Sequence, residues 1–234
     1  LDKEVKKRTR ELESANEQLK VNDKMQKEFI NIASHEMRTP TQAILGYSQL
    51  LQNYPHKFDE FMRAISRNAV RLQRLTSDIL DVTRIESHTL KLDKEKFNIK
   101  DIIVHCINDV TMNNWKDVKL SYEPKDIIIK ADRGRILQVI SNLLCNALKF
   151  TEHGRICITS ERNDNLMLVS IKDTGTGIDS ELFPRLFSKF ASKSFSGTGL
   201  GLSLSYDIIK VHGGKIKVES KEGEGSEFII QLPG

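Results

Sequence analysis

The sequence predicts a molecule in two parts: an all-α helical hairpin that forms a dimeric four-helix bundle with an N-terminal coiled coil, then an α+β two-layer sandwich. Three observations predict it. Apolar residues recur at alternating spacings of four and three through the first thirty-odd positions. A second helical pattern follows one proline-marked turn, and after "HTLKLDKEK" the pattern changes to short β-rich runs between helices. At 234 residues the chain can build one large core or two modest ones.

The first element is a helix over residues 1 to about 53, with a seam of Leu1, Val5, Arg8, Leu12, Ala15, Leu19, Asn22, Gln26, Phe29 and Ala33. Outside this seam "KKRTRELESANEQLK" is polar, which fits a parallel dimeric coiled coil better than a helix packed on its own domain. After "NYPHK", marked by Pro55, a second helix runs from about residue 58 to 86. Its apolar positions Phe61, Ile65, Leu72, Leu75, Ile79 and Val82 repeat at helical spacing, so the two helices make an antiparallel hairpin. One hairpin leaves apolar surface uncovered, whereas two complete a four-helix bundle; the partner is a second copy, and the assembly a homodimer. A linker is expected at "HTLKLDKEK". Beyond it, helices at about 100–112, 133–150 and 200–212 mix with "VKLSY", "DIIIKA", "RICITSE", "LMLVSIK", "KIKVES" and "SEFIIQL". The last two are joined by the hairpin connection "KEGEG", and helices cover one face of a mixed sheet.

With 36 basic and 32 acidic residues, the net charge of +4 is too small and scattered to indicate a nucleic-acid partner. Cys106, Cys145 and Cys157 form no CxxC pair, and their odd number fits thiols of a reducing, cytoplasmic compartment. No apolar run approaches the ~20 residues that span a bilayer, and no signal peptide opens the chain. The sequence opens inside a helical pattern, so a fragment of a longer protein is expected, in which an upstream sensor or membrane anchor would not be visible.

Three stretches carry residues that a nucleotide site needs. In "QVISNLLCNALKFT", Gln138, Asn142, Asn146 and Lys149 line one helix face, while Val139, Ile140, Leu143, Leu144 and Leu148 line the other. Asparagine is a poor helix former, and a row of amides with an ammonium suits a magnesium–phosphate group. In "DTGTGI", Asp173 at a strand end can accept a hydrogen bond from an exocyclic amine, and Gly175 and Gly177 let backbone approach a flat ring. In "GTGLGLSLS", Gly197, Gly199 and Gly201 open a helix whose N–H groups favour phosphate. The spacing is neither GxGxxG nor GxxxxGK[ST], so Rossmann and Walker-type sites are unsupported.

Taken in order, these stretches resemble the catalytic core of the two-component sensor histidine kinases. "SHEMRTP" resembles the phosphoacceptor box of that family, "NLLCNALKFT" its asparagine box, "DTGTGI" and "GTGLGLSLS" its two glycine boxes, and "LFSKF" its phenylalanine box. The resemblance implies a Bergerat-type ATP fold. It implies magnesium (Mg2+) on Asn146, with Asn142 and Lys149 near the phosphates of ATP, and Asp173 on the adenine amine. Gly175 and Gly177 would shape the adenine pocket, and Gly197, Gly199 and Gly201 the phosphate end. Residues 179 to 196 would form the ATP lid, edged by Phe187 and Phe190. Hydrolytic relatives carry a glutamate where Asn142 stands, so transfer to a side chain is favoured over release of phosphate. Ala191 and Ser192 replace the aromatic and arginine that often follow the phenylalanine box, and Lys193 is the available charge.

His35 points away from Ile44 and Leu51 at ~100° per residue, and Thr39 lies one turn on, on the same face. A neutral imidazole is a nucleophile, and Glu36 can accept its Nδ1 hydrogen as Nε2 attacks the γ-phosphate. Pro40 removes the amide that would bond the Glu36 carbonyl. His56, His88, His105, His153 and His212 read as solvated side chains. The resemblance implies transfer onward to an aspartate of a response-regulator receiver domain, and dephosphorylation of that regulator with Thr39 orienting water. A dimeric ATP-binding scaffold without transfer activity is the alternative.

Overall fold

The computed structural model describes residues 2–111, 118–189 and 199–233, apart from the side chains of residues 2, 3, 5 and 22. Packing divides the chain into two units, Leu1–Ile79 and Leu80–Gly234.

The first unit is helical. Helix α1 spans Asp2–Asn53 and runs unbroken through Pro40. The hydroxyls of Thr39 and Thr41, on either side of that proline, donate to the carbonyls of His35 and Met37 at 3.4 and 2.8 Å. The chain leaves α1 at Tyr54, whose φ of −132° and ψ of 66° lie outside the helical region that a following proline disfavours. One 3₁₀ turn, Pro55–Lys57, leads into α2, Phe58–Glu86, whose residues from Leu80 onward count with the second unit. Asp59 and Glu60 in its first turn complement the helix dipole, as does Arg84 in its last. Tyr47 of α1 lies 5.7 Å from Phe61 of α2, ring centre to ring centre, as an antiparallel pair requires. Ala33, Phe61 and Ala64 are buried, yet Leu12 and Leu19 are 72% and 69% exposed, and Ile30, Leu45 and Val70 are exposed as well.

In the second unit, β2 (Val118–Tyr122), β4 (Gly154–Asn163), β5 (Leu166–Asp173), β6 (Lys215–Lys221) and β7 (Gly225–Pro233) form a sheet ordered β2-β4-β5-β7-β6. Strand β2 is parallel to β4 and every other pairing is antiparallel. The period of two is visible in β5, where Met167, Val169, Ile171 and Asp173 are buried and Lys172 is exposed. Ile158 and Phe228, paired with Ile171 from either side, continue that face. Helices α3 (Ile99–Thr111), α4 (Arg133–Phe150) and α5 (Gly201–Val211) supply the other half of the core, including Ile102, Ile103, Val139, Leu143, Leu204 and Ile208. Asp132 caps α4, accepting from the Arg135 N–H at 3.0 Å.

Part of the expected linker is a strand. Lys94–Asn98 is β1, paired antiparallel with β3 (Ile128–Asp132) in a separate two-stranded sheet. Its first three residues are charged and exposed, so no alternation marked it; backbone pairing and Asn98, whose side chain accepts from the N–H groups of Lys100 and Ile127, hold it.

Candidate functional site

In the first unit, α1 carries His35 exposed and Glu36 half-buried. One residue is a rotation of ~100°, so Glu36 turns toward α2 while His35 stays on the solvent side. The Glu36 partner is Arg71 of α2, whose Nη2 donates to Oε2 at 3.2 Å. Among the described residues no hydrogen bond joins His35 to Glu36, the pairing the sequence led us to expect. Thr39 is exposed on the His35 face.

In the second unit, α4 presents the amide row. Asn142 is buried, and its Nδ2 donates to the Gly201 carbonyl at 3.4 Å, joining α4 to the start of α5. Gly201 faces the same amide so closely that a Cβ would lie 3.4 Å from it. One turn on, Asn146 is half-buried and makes no hydrogen bond among the described residues. The Lys149 Nζ lies 4.8 Å from the centre of the Phe150 ring. Gln138 does not join the row functionally: its amide accepts from Arg135 at 3.0 Å and donates to Asp81 at 3.2 Å.

Asp173 ends the buried row of β5 and is only 5% exposed. Its Oδ1 accepts from the Gly175 and Ser226 N–H groups at 2.9 and 3.3 Å. Oδ2 has no donor among the described residues. Burial pushes this carboxyl above the ordinary aspartate value, against the two backbone N–H groups that favour the ion. A ligand N–H reaching Oδ2 would complete the set.

The glycines of the turn serve the protein's own backbone first. A Cβ on Gly175 would meet the Phe150 carbonyl at 2.3 Å, and one on Gly177, at φ +69°, the Lys221 carbonyl at 2.1 Å. The Thr176 N–H bonds the Phe150 carbonyl and its own carbonyl takes the Gly223 N–H, so α4, the turn and the β6–β7 hairpin are tied together. Gly225, at φ +96°, is equally intolerant of a Cβ, which would meet the Asp173 carbonyl at 2.1 Å, and it was missed in the sequence.

Gly199, with φ +66°, precedes α5, which has no acidic residue in its first turn. Phe187 stacks on Tyr206 of α5, ring centres 4.9 Å apart, so the first part of the expected lid is attached to that helix. Gly197, Phe190, Ala191, Ser192 and Lys193 lie outside the described residues.

One histidine is not solvated as expected. His212 is 6% exposed, where α5 meets the start of α4. Its Nδ1 donates to the Ile208 carbonyl at 2.8 Å, and its Nε2 accepts from the Asp132 N–H at 3.1 Å. Both bonds together require the neutral ring, and burial lowers its pKa below the ordinary histidine value.

Two family models match in tandem. The histidine kinase A phospho-acceptor domain covers residues 25–88, and the histidine kinase-, DNA gyrase B- and HSP90-like ATPase covers 131–234. The isolated catalytic domain of the histidine kinase ThkA is 36% identical, with 95% of it and 60% of this chain covered, at a TM-score of 0.53. The chain belongs to the histidine kinase family.

The sensor histidine kinase RcsC of Escherichia coli (strain K12) is 33% identical over 217 residues, 88% of this chain and 23% of RcsC. This histidine kinase chain thus spans about a quarter of the length of that curated relative. Full-length ShkA, solved with AMPPNP, matches at a TM-score of 0.68 and 26% identity, over 88% of this chain and 45% of ShkA. ThkA solved with the response regulator TrrA matches at 0.64 and 30% identity, over 88% of this chain and 61% of that one. In this kinase chain the phospho-acceptor match contains His35, and the ATPase match contains the asparagines of α4, Asp173 and Gly201. No helix among the described residues is long and apolar enough to cross a membrane.

Proposed function

We propose that this chain is the catalytic core of a sensor histidine kinase that moves the γ-phosphoryl group of ATP to His35 and passes it to an aspartate of a response regulator. The observation that carries the reading is the Asp173 carboxylate, buried and held through one oxygen while the other awaits a donor, in a chain that also exposes His35. An adenine amine is such a donor. Asn146, with an amide free among the described residues, would hold Mg2+, which neutralises phosphate charge when bound. Asn142 and Lys149 would lie at the phosphates with Gly197, Gly199 and Gly201; Gly175 and Gly177 would set the adenine turn, and Phe187 the lid edge.

In the transfer, Nε2 of neutral His35 forms a bond to the γ-phosphorus, the bond to the β–γ bridging oxygen breaks, and its electron pair leaves with ADP. The Nδ1 proton passes to Glu36, whose Oε1 has no partner among the described residues. The aspartate oxygen of the regulator then attacks phosphorus and His35 is released. Thr39, beside His35, would orient water for the reverse duty of dephosphorylating the regulator. ThkA, solved with a response regulator, supports this partner class. Residues 1–27 would be the input coiled coil, 28–90 the dimerisation and phosphotransfer domain, and 95–234 the ATP-binding domain.

Incubation with γ-labelled ATP and Mg2+ tests the reading. The parent chain should gain acid-labile, base-stable label, and His35→Ala and Asn146→Ala should gain none. A parent chain that binds ATP and stays unlabelled would mean an inactive scaffold instead.

A further inference from the structure

We propose that Arg71 is a positioning residue for phosphorylation of His35, acting through Glu36. The inference rests on the kinase reading above and names a residue to which that reading gives no role.

Glu36 is one residue from His35, but its carboxylate is not presented by α1 alone. A glutamate on a helix surface has three rotatable side-chain bonds and ordinarily points to water. Here it is drawn against the neighbouring helix by a single bond, Arg71 Nη2 to Glu36 Oε2 at 3.2 Å. The side chains remain 34% and 27% exposed, so this is a half-buried pair beside the acceptor histidine. The helix pairing that sets Tyr47 against Phe61 also sets Glu36 against Arg71, since the residue numbers of each pair have nearly the same sum, as antiparallel helices demand.

The bond uses one oxygen and leaves the other. Oε1, fixed in direction by the anchor on Oε2, is the atom able to take the Nδ1 hydrogen of His35 when Nε2 attacks. Without the guanidinium the base is still present but unaimed, and correct aim is a large part of what a general base contributes. Among the described residues Arg71 makes no hydrogen bond to the His35 imidazole, and its guanidinium is engaged with Glu36, so its effect should fall on the rate of transfer and not on nucleotide binding.

The test measures initial rates of His35 labelling, KM for ATP and thermal unfolding in the intact chain, for Arg71→Met, Arg71→Lys, Glu36→Gln and the Arg71→Met/Glu36→Gln double variant. Arg71→Met should label about tenfold more slowly at unchanged KM, against about a hundredfold for Glu36→Gln. Arg71→Lys should recover most of the rate, because one donor suffices for a one-oxygen bond. The double variant should label no more slowly than Glu36→Gln alone. A parental rate in folded Arg71→Met, or an equal further loss on the Glu36→Gln background, would overturn the inference. If Arg71→Met does not fold, Arg71→Lys decides, and a rate as low as that of Glu36→Gln sinks the proposal. An unlabelled parent would overturn the kinase reading itself and this inference with it.

Discussion

Asp173 is the residue in which burial and recognition conflict most directly. Its Oδ1 is satisfied by two backbone N–H groups, and Oδ2 has none among the described residues. Asp173→Asn keeps an oxygen for both N–H groups but puts an NH₂ where Oδ2 stood, opposing a ligand amine donor to donor. ATP affinity should fall by about 10- to 100-fold, measured by titration calorimetry, because a buried polar group left unpaired costs about 1–3 kcal/mol. Stability should change the other way. Burial raises the folded-state pKa of this carboxyl, so its contribution is favourable below the ordinary aspartate value and is lost as pH rises through the folded-state value. At neutral pH the nucleotide-free Asn variant should therefore unfold at a higher temperature than the parent, with the gap closing as pH falls toward 3.8. An Asn variant less stable at neutral pH would show that the two N–H groups outweigh burial. Cys106 is a second group that burial shifts upward: its thiol is pushed up to about 12, which keeps it protonated at neutral pH.

Elements were legible where periodicity ran long, and less so where one element met another. The bounds of α1, α2, α4 and α5 follow from spacing, because a helix written over three or more turns repeats its signal. Strand β1 repeated nothing and needed β3 to exist. His212 looked like any other surface histidine because its partners, Ile208 four residues back and Asp132 eighty residues back, come together only through packing of α5 on α4. The same holds for Arg71 and for the backbone contact at Gly177, where the Lys221 carbonyl lies in the space that a Cβ would take. Gly177→Ala should therefore destabilise the second unit by about 2–4 kcal/mol in urea unfolding, through both clash and a positive φ, even without nucleotide. The His212 bridge predicts a pH dependence of its own. Burial, with Lys94 adding to it and the Ile208 bond and Asp132 opposing it, depresses the folded-state pKa. Stability should be full above 6.5 and fall as pH drops from there toward the depressed value, and His212→Gln should flatten that slope. An unchanged slope would remove His212 as its source.

At the scale of the whole molecule, the first unit holds more apolar surface than it can cover. Leu12 and Leu19 are seven residues apart and mostly exposed, and Ile30, Leu45 and Val70 continue the uncovered surface along the hairpin. On the homodimer reading proposed from the sequence, a second copy would be the cover. The seam of such a dimer would be weak by composition, since Arg8, Asn22 and Gln26 occupy positions where a stable coiled coil has leucine or isoleucine. A weak seam has a use: two helix arrangements that differ by only a few kcal/mol can be exchanged by a modest upstream signal, whereas a tight seam locks one of them. Leucine at all three positions should raise the unfolding temperature of the dimer and shift the ratio of His35 labelling to regulator dephosphorylation, measured on the same preparation. A higher unfolding temperature with an unchanged ratio would separate the two effects: the polar residues would then limit only dimer strength, and the signal would have to enter through the bundle itself.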